Sequence, residues 1–314
     1  MQDAVEGGPV VGGTAAQSPA RPDPTDPVLG ALLRLCWFPE RDHLDVAVSG
    51  GADSLCLLAL AMATGAAVTA HHVDHGTRPG GHTEADSVAE VCRAWGTGFV
   101  AHRVEVPAGP NLEERWRDAR RAVLPEGCLT GHTADDQAET LLLRLMRGTG
   151  PAGMAAMEPA THPILALRRT DTEMLCSHLG LVVFEDPTNS SGRFARNRVR
   201  HEVLPLLSEI AGRDVVPLLT RTAELAGAQR EFIAEVVGAV DPTDSAAVGA
   251  LSEHLAAEVL RSWWTTATDG LPPPDRAALR RMLQVVNHDA TRCDVASGWV
   301  LARTAGRLRL VRGS

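Results

Sequence analysis

DVAVSGGADSLCLLALAMA, residues Asp45 to Ala63, runs from a short apolar stretch through two glycines into a long apolar one. The first stretch, to Ser49, has the length of a buried strand, and the second, from Ser54, that of a packed helix. Two glycines where a strand hands over to a helix put the first helical amides, which lack intrahelical partners, at the mouth of a loop. The positive end of the helix dipole points the same way, so the natural guest is an anion, and glycine lets its oxygens approach the backbone closely. An ordinary tight turn would use Gly50 and Gly51 as well. Ser49, Asp53 and Ser54 favour phosphate: two hydroxyls can bond its oxygens, and an aspartate can orient a magnesium ion or the loop itself. No Gly-Lys-Ser/Thr follows, so this is not a Walker loop, and the chain contains no lysine.

Outward from that stretch, helical and extended patterns alternate. The pattern predicts a helix over Val28–Phe38, a strand over Asp45–Ser49, a helix over Ser54–Ala63, a strand over Ala67–Val73, a helix over Thr83–Trp95 and a strand over Gly98–Val106. It continues with a helix over Leu112–Leu124, a strand over Cys128–Gly131, helices over Asp135–Arg147 and Asp171–Leu179, and an extended Val182–Glu185. Such alternation implies an α/β fold, a mostly parallel sheet with helices on both faces. Ligands of such sheets sit beyond the carboxyl ends of the strands. Ser49–Ser54, His72–Gly76 and His132–Asp136 all fall there, which groups them into one site. From Arg213 the texture becomes helical, over Val215–Val240, Ala246–Ala267 and Asp275–Val286. A hairpin, Trp299–Arg303 with Arg307–Arg312, closes the chain by turning at Ala305-Gly306. The expected organisation is a disordered tail over 1–25, a nucleotide-binding domain over 26–212 and a smaller, mainly helical C-terminal domain over 213–314.

With 314 residues, 44% of them hydrophobic, the chain has material for two cores. Its most apolar stretch, Leu55–Ala70, is shorter than the roughly 20 residues of a membrane span and is divided at Gly65. The first 25 residues lack a basic start followed by an apolar segment, so they read as a tail and not as a signal peptide, and a cytoplasmic protein is expected. The six cysteines form no C-x-x-C pair, which argues against a disulfide framework, a zinc ribbon or an iron–sulfur site. A net charge of −9 disfavours a nucleic-acid partner on average. Locally, Arg115, Arg117, Arg120 and Arg121 crowd one helix and Arg193, Arg196, Arg198 and Arg200 another. Either group can be a solvated helix face.

Two further segments carry chemistry. HHVDHG, His71 to Gly76, offers imidazoles, but neighbouring strand residues face opposite ways and no partner ligand spacing appears elsewhere, so a strand end beside a nucleotide is the better reading than a zinc site. TGHTADDQAETLLLRLMRGTGPAGM, Thr130 to Met154, places His132 at a strand end, Asp135 and Asp136 in a helix's first turn and Glu139 one turn on. Acids at a helix N-terminus are favoured by the dipole without any ligand. Beside an anion loop, the same group suits magnesium and a cationic amine.

SGGADS, HHVDHGTRP, NLEERWRDARRAVL, GHTADDQAETLLLRLMRGTGPAGM and EDPTNSSGRFARNRVRHEVLPLL occur here in the order and spacing seen in tRNA(Ile)-lysidine synthetases, members of the PP-loop ATP pyrophosphatases, and the chain resembles that family over Asp45–Leu207. The closing hairpin resembles the end of the family's first C-terminal domain. The resemblance implies an enzyme that adenylates the wobble cytidine of a CAU-anticodon isoleucine tRNA with ATP and magnesium, then lets the ε-amine of free lysine displace AMP. It implies Ser49, Gly50, Gly51, Ala52, Asp53 and Ser54 as the pyrophosphate loop, with Asp53 toward magnesium and His72, Asp74 and Arg200 also serving ATP. Asp53, His132, Asp136 and Arg196 would be catalytic, and His132, Asp136 and Glu139 would handle lysine. Apart from the resemblance, Arg115, Arg117 and Arg120 can contact the tRNA backbone or form a solvated helix face, and the C-terminal domain is expected to grip the tRNA by analogy. No membrane is implied, and a homodimer is left open. The chain departs from the family at three places: His162-Pro163-Ile164-Leu165 replaces the usual Arg-Pro-Leu-Leu, Arg121 a common tyrosine, and Thr77-Arg78-Pro79 the usual Leu-Arg-Pro. A tRNA thiolase on the same scaffold would need paired cysteines, a small-molecule amidation enzyme fits the RNRVR segment poorly, and a non-catalytic nucleotide-binding relative would bind ATP without turnover.

Overall fold

The computed structural model describes residues 19–74, 81–104, 106, 112–184 and 195–313. Contacts divide the chain into two compact units, Met1–Ala223 and Glu224–Ser314. The division falls inside one long helix, later in the chain than the change of texture at Arg213.

The first unit opens with α1 (Pro27–Leu33), where Asp26 accepts hydrogen bonds from the amides of Val28 and Leu29. The carboxylate serves the first free amides and Pro27 needs no donor, so this helix start is well made. It is shorter than the sequence pattern suggests: beyond Leu33 the chain unwinds, and the Trp37 amide bonds the Pro163 carbonyl instead. The expected tail lies outside the described residues up to position 18, but Ala20 already donates to the Leu179 carbonyl.

Four strands form a parallel sheet in the order β3-β2-β1-β4: β1 (His43–Ala47), β2 (Ala67–Asp74), β3 (Gly98–Arg103) and β4 (Leu129–Thr130). The helix α2 (Ala52–Ala63) joins β1 to β2, α3 (Gly81–Trp95) joins β2 to β3, and α4 (Leu112–Val123) precedes β4. Leu44, Val46, Val48, Val68 and Ala70 point to one face and pack with α1, α2 and α3 in the main core. Every residue from Leu55 to Ala61 is buried, so α2 is enclosed on all sides, which is why it shows no amphipathic stripe. Because strand side chains alternate, Asp45 and His71 face the other way. The expected extended Val182–Glu185 adds no strand among the described residues; its Phe184 amide bonds the Gly50 carbonyl, laying that segment against the glycine loop.

After β4 come α5 (Ala134–Met146), α6 (Pro151–Met154), a single 3-10 turn at Pro159–Thr161 and α7 (Arg169–His178). The remaining helices are α8 (Ala195–Arg198), a wide π-type turn over Val199–Val203, α9 (Leu204–Ala211) and α10 (Val216–Gly238), which carries the division between units. Pro205 explains the wide turn: it has no amide to give to the carbonyl one turn back, and its ring crowds that turn. Ala134 and Ala138 of α5 pack with Val199, Leu204, Val215 and Val216 in a second, smaller core.

In the second unit the expected single helix Ala246–Ala267 is two, α11 (Ser245–Gly249) and α12 (Glu253–Ala267). Ser252 is the reason, since its hydroxyl accepts from the Leu255 amide and starts a new helix. After α13 (Arg276–Val286), three antiparallel strands follow in the order β5 (Arg292–Asp294), β6 (Trp299–Thr304), β7 (Arg307–Arg312). The β6–β7 hairpin turns at Ala305 and Gly306, both with positive φ, the geometry that suits strand twist. The first of these strands, short and polar, escapes the sequence reading. Trp264, Leu260, Met282, Leu301 and Leu308 form the core of this unit. Among the described residues, no helix is long and apolar enough to cross a membrane.

Candidate active site

The glycine loop sits where the alternation pattern puts it, between β1 and α2. Gly50 has φ +87°, a conformation that strains any residue with a Cβ, and Gly51 is the residue before the helix. The Ser54 hydroxyl organises the loop: it accepts from the Ser49 amide at 3.1 Å, donates to the Gly51 carbonyl at 2.9 Å and meets the Ser49 hydroxyl at 3.2 Å. β4 ends against this loop at Gly131, where a Cβ would meet the Asp53 carbonyl oxygen at 2.7 Å. That close approach brings the residue after it, His132, beside the loop.

Ser49, Gly51, Ala52, Asp53 and Ser54 line a cleft of about 1120 Å³ together with His132, Asp136 and Arg200. His71 and Arg169 line it too. A second cleft, of about 670 Å³, is bordered by Arg117, Arg120, Arg121, Arg144 and Arg196, and shares Arg120, Thr130 and His132 with the first. Glu126 and Glu158 are its acids, so its wall is predominantly basic.

Asp136 and Glu139, one turn apart on α5, face a fan of guanidinium groups. Asp136 uses Oδ2 to accept from the Thr133 amide and hydroxyl at 3.0 Å, capping its own helix. Its Oδ1 lies 3.4 Å from Arg169, 3.3 Å from Arg196 and 3.6 Å from Arg200. Burial by itself would raise this carboxyl, but the charges of Arg196 and Arg169 and the Thr133 amide outweigh it and hold it below the usual range. Glu139 is 0% exposed, and its oxygens accept from Arg196 at 2.7 Å and Arg200 at 2.6 Å. Asp53, across the cleft, accepts from the Thr172 hydroxyl at 2.5 Å and pairs with Arg169 at 3.5 Å. Its carboxyl is raised: burial dominates over Thr172 and Arg169, and the nearby Asp136 adds to it.

Arg169 thus touches Asp53, Asp136 and Glu139, three acids from two elements, and sequence reasoning missed it. Its neighbour Arg168 grips Asp135 with two nitrogens, at 3.1 and 2.9 Å, while the Arg169 amide bonds the same carboxylate. A basic pair at a helix N-terminus opposes the dipole, which is the signal that those side chains are committed elsewhere.

His132 and His162 stack with ring centroids 4.7 Å apart, and the Thr130 hydroxyl lies 2.9 Å from Nδ1 of the first and 3.2 Å from Nδ1 of the second. Burial pushes the His132 imidazolium down to about 3; Asp136 opposes this, while His162, Arg196 and Arg120 reinforce it. His162, where a family arginine was expected, is lowered as well, again chiefly by burial.

The remaining candidates are scattered. His72 is buried and its Nδ1 donates to the Val48 carbonyl at 2.9 Å, so along β2 the cleft is lined by the neighbouring His71, which bonds Asp45 at 2.8 Å. Asp74 closes β2. Arg196 borders the second cleft and Arg200 the first, Arg117 and Arg120 border the second, and Arg115 borders neither. His75, Gly76 and the Thr77-Arg78-Pro79 departure lie outside the described residues.

Residues 30–207 match the PP-loop domain family and residues 244–309 the TilS substrate binding domain. A tRNA(Ile)-lysidine synthase of Mycobacterium tuberculosis is 36% identical over 285 residues, 87% of this chain and 80% of the relative. The chain belongs to the tRNA(Ile)-lysidine synthase family. Other members include that of Rhodococcus erythropolis, 44% identical over 216 residues, 64% of this chain and 66% of the relative, and that of Nocardia farcinica, 46% identical over 187 residues, 56% and 59%. The chain therefore spans 66% and 59% of the lengths of these last two members, less than two thirds of each. The family's PP-loop match covers both the glycine loop and the α5 acids, so the cleft between them lies wholly inside it.

Proposed function

We propose that this chain ligates free lysine to C2 of the wobble cytidine in a CAU-anticodon isoleucine tRNA, consuming ATP and releasing pyrophosphate and AMP. The observation that carries this reading is the cleft in which the Ser49–Ser54 loop faces His132, Asp136 and Arg200, in a chain of the tRNA(Ile)-lysidine synthase family. Gripping the β and γ phosphates at the loop leaves the α phosphorus open. The C2 oxygen of the cytidine attacks it, the bond to the bridging oxygen breaks, and pyrophosphate departs. In the second half-reaction the ε-amine of lysine attacks C2, the carbon–oxygen bond to the phosphate breaks, and AMP leaves.

Within that sequence Asp136 is the group for the cationic amine, because its neighbours keep it ionised. Glu139 is fully enclosed and saturated by Arg196 and Arg200, so it is better suited to aiming those guanidiniums at phosphate charge than to gripping lysine. The donor set fits magnesium: this ion is commonly held by one or two carboxylates plus substrate phosphates and water, and Asp53 supplies such a carboxylate beside the loop. Bound there, it would neutralise charge on the departing phosphates. Arg117 and Arg120, along the basic cleft, are the candidates for the anticodon-loop backbone, joined by Arg115 on the same helix. An anticodon base is reachable because the loop is single stranded. The C-terminal region, 213–314, is assigned to tRNA binding.

Incorporation of labelled lysine into a transcript of the CAU-anticodon isoleucine tRNA, with ATP and magnesium, tests the reading. Label should appear with cytidine at the wobble position and be absent with uridine there. ATP binding with no label on either transcript would favour the non-catalytic alternative.

A further inference from the structure

We propose that Thr130 and His162 are positioning residues that fix the tautomer of His132, so that His132 meets the cleft as an N–H donor and not as a base. The proposal deepens the reading above and rests on it for the identity of the anion served.

The argument is one of hydrogen-bond accounting. His162 Nδ1 has only oxygens around it: the Thr161 hydroxyl at 2.9 Å and the Thr130 hydroxyl at 3.2 Å. A protonated Nδ1 can donate to these, whereas a bare Nδ1 would need one of the hydroxyls to turn to it. With His162 Nδ1 protonated, the single proton of the Thr130 hydroxyl has two acceptors left, His132 Nδ1 at 2.9 Å or the Thr161 carbonyl at 3.4 Å. The shorter contact is the better bond, and a His162 N–H donated to Thr130 leaves the hydroxyl proton directed at His132. His132 Nδ1 is then an acceptor, and its own proton must sit on Nε2. Nε2 has no partner among the described residues, while the ring borders both clefts and lies near Asp136. Stacking at 4.7 Å on His162 holds the ring plane, and a second positive charge so close is disfavoured, so both rings stay neutral.

A neutral N–H donor beside the phosphate loop suits charge that builds on phosphate oxygens during adenylation. The proton of the lysine amine is then left to Asp136. An arginine at position 162 would keep the direction of the relay, because guanidinium only donates.

The test is the ring-nitrogen spectrum of the full-length protein labelled with nitrogen-15 histidine, taken without substrates, with His132 identified by its loss in His132→Gln. His132 should show an unprotonated Nδ1 and a protonated Nε2. Thr130→Val should remove this preference and move both nitrogens toward the averaged positions of exposed histidines; Thr130→Ser and His162→Arg should keep it. If Thr130→Val does not fold, His162→Phe serves instead, since it preserves a stacked ring and removes the donor, and it too should lose the preference. Lysine incorporation should fall roughly tenfold to a hundredfold in the variants that lose it. A wild-type His132 protonated on Nδ1, or on both nitrogens, overturns the proposal, and so does an unchanged spectrum in Thr130→Val, or in His162→Phe where it stands in. Absence of lysine incorporation with the expected spectrum would count against the ligase reading alone.

Discussion

The two units bury different things. The first hides Asp136, Glu139, His71 and His72 among its buried side chains; in the second, the buried polar side chains among the described residues are Ser245 and Thr268, each donating to a backbone carbonyl. One unit spends stability holding charge in place, since taking carboxylates and guanidiniums out of water costs more than a surface pair returns. The other is an apolar core around Trp264 with its charges outside. The candidate site therefore draws on the buried charges of the first unit, and the second offers no such group among the described residues.

Removing a carboxylate from the first unit should separate them most sharply. Glu139→Ala removes the enclosed anion between Arg196 and Arg200 and leaves them only the longer contacts to Asp136, and a loss of about 3–5 kcal/mol is expected in denaturant unfolding, with lysine incorporation abolished. The counterpart in the second unit is Trp264→Ala, whose cost of about 3 kcal/mol or slightly more comes from a cavity and a lost bond to the Pro272 carbonyl. Its signature is faster amide exchange in residues 224–313 with ATP binding retained. Equal exchange throughout the chain would erase the contrast.

Acid gives a smaller, directional effect. Asp135 and Asp136 both have carboxyls held below 3.8 in the folded protein, so the stability they contribute is present above that pH and is lost as pH falls through their folded values. Asp53, which is raised, acts in the opposite sense and gives up stability as pH rises past 3.8. Exchange in the first unit should accelerate below about pH 3.8 before that in the second, which holds no buried carboxylate among the described residues. Smallest of all is the surface term. Arg117→Gln should weaken tRNA binding alike for cytidine and uridine wobble transcripts and lower the salt slope by about one unit; an unchanged slope would remove Arg117 from the tRNA path.

Local features were legible in the sequence and tertiary ones were not. The Ser49–Ser54 loop and the acids of α5 announce themselves because strand, glycine and helix follow one another directly along the chain. Arg169 did not, because its meaning depends on α7 starting opposite α5 and the loop, and nothing nearby in sequence says so. The choice between His71 and His72 turned on strand register: His71 pairs with Ala47 and Val100 on the cleft side, and its neighbour is carried to the core by alternation. His162 read as a lost charge, whereas its stacking on His132 could be seen only once β4 and the 3-10 turn lay side by side. In the second unit the break at Ser252 was readable, since a serine followed by glutamate is an ordinary helix start, but the long helical pattern masked it.

The wide turn at Val199–Val203 has a consequence for insertions and deletions. A π-type turn is an α-helix carrying one surplus residue, so removing a residue there leaves the flanks in helical register, short only of the bond that Pro205 cannot make. The packing of Val199 and Leu204 against α5 would survive such a shortening. Arg200 lies inside the turn and Arg196 before it, yet both reach the same carboxylate. Loss of one codon would carry Arg200 away from Glu139 while leaving Arg196 in place, making this a position where the fold is indifferent to length and the site is not.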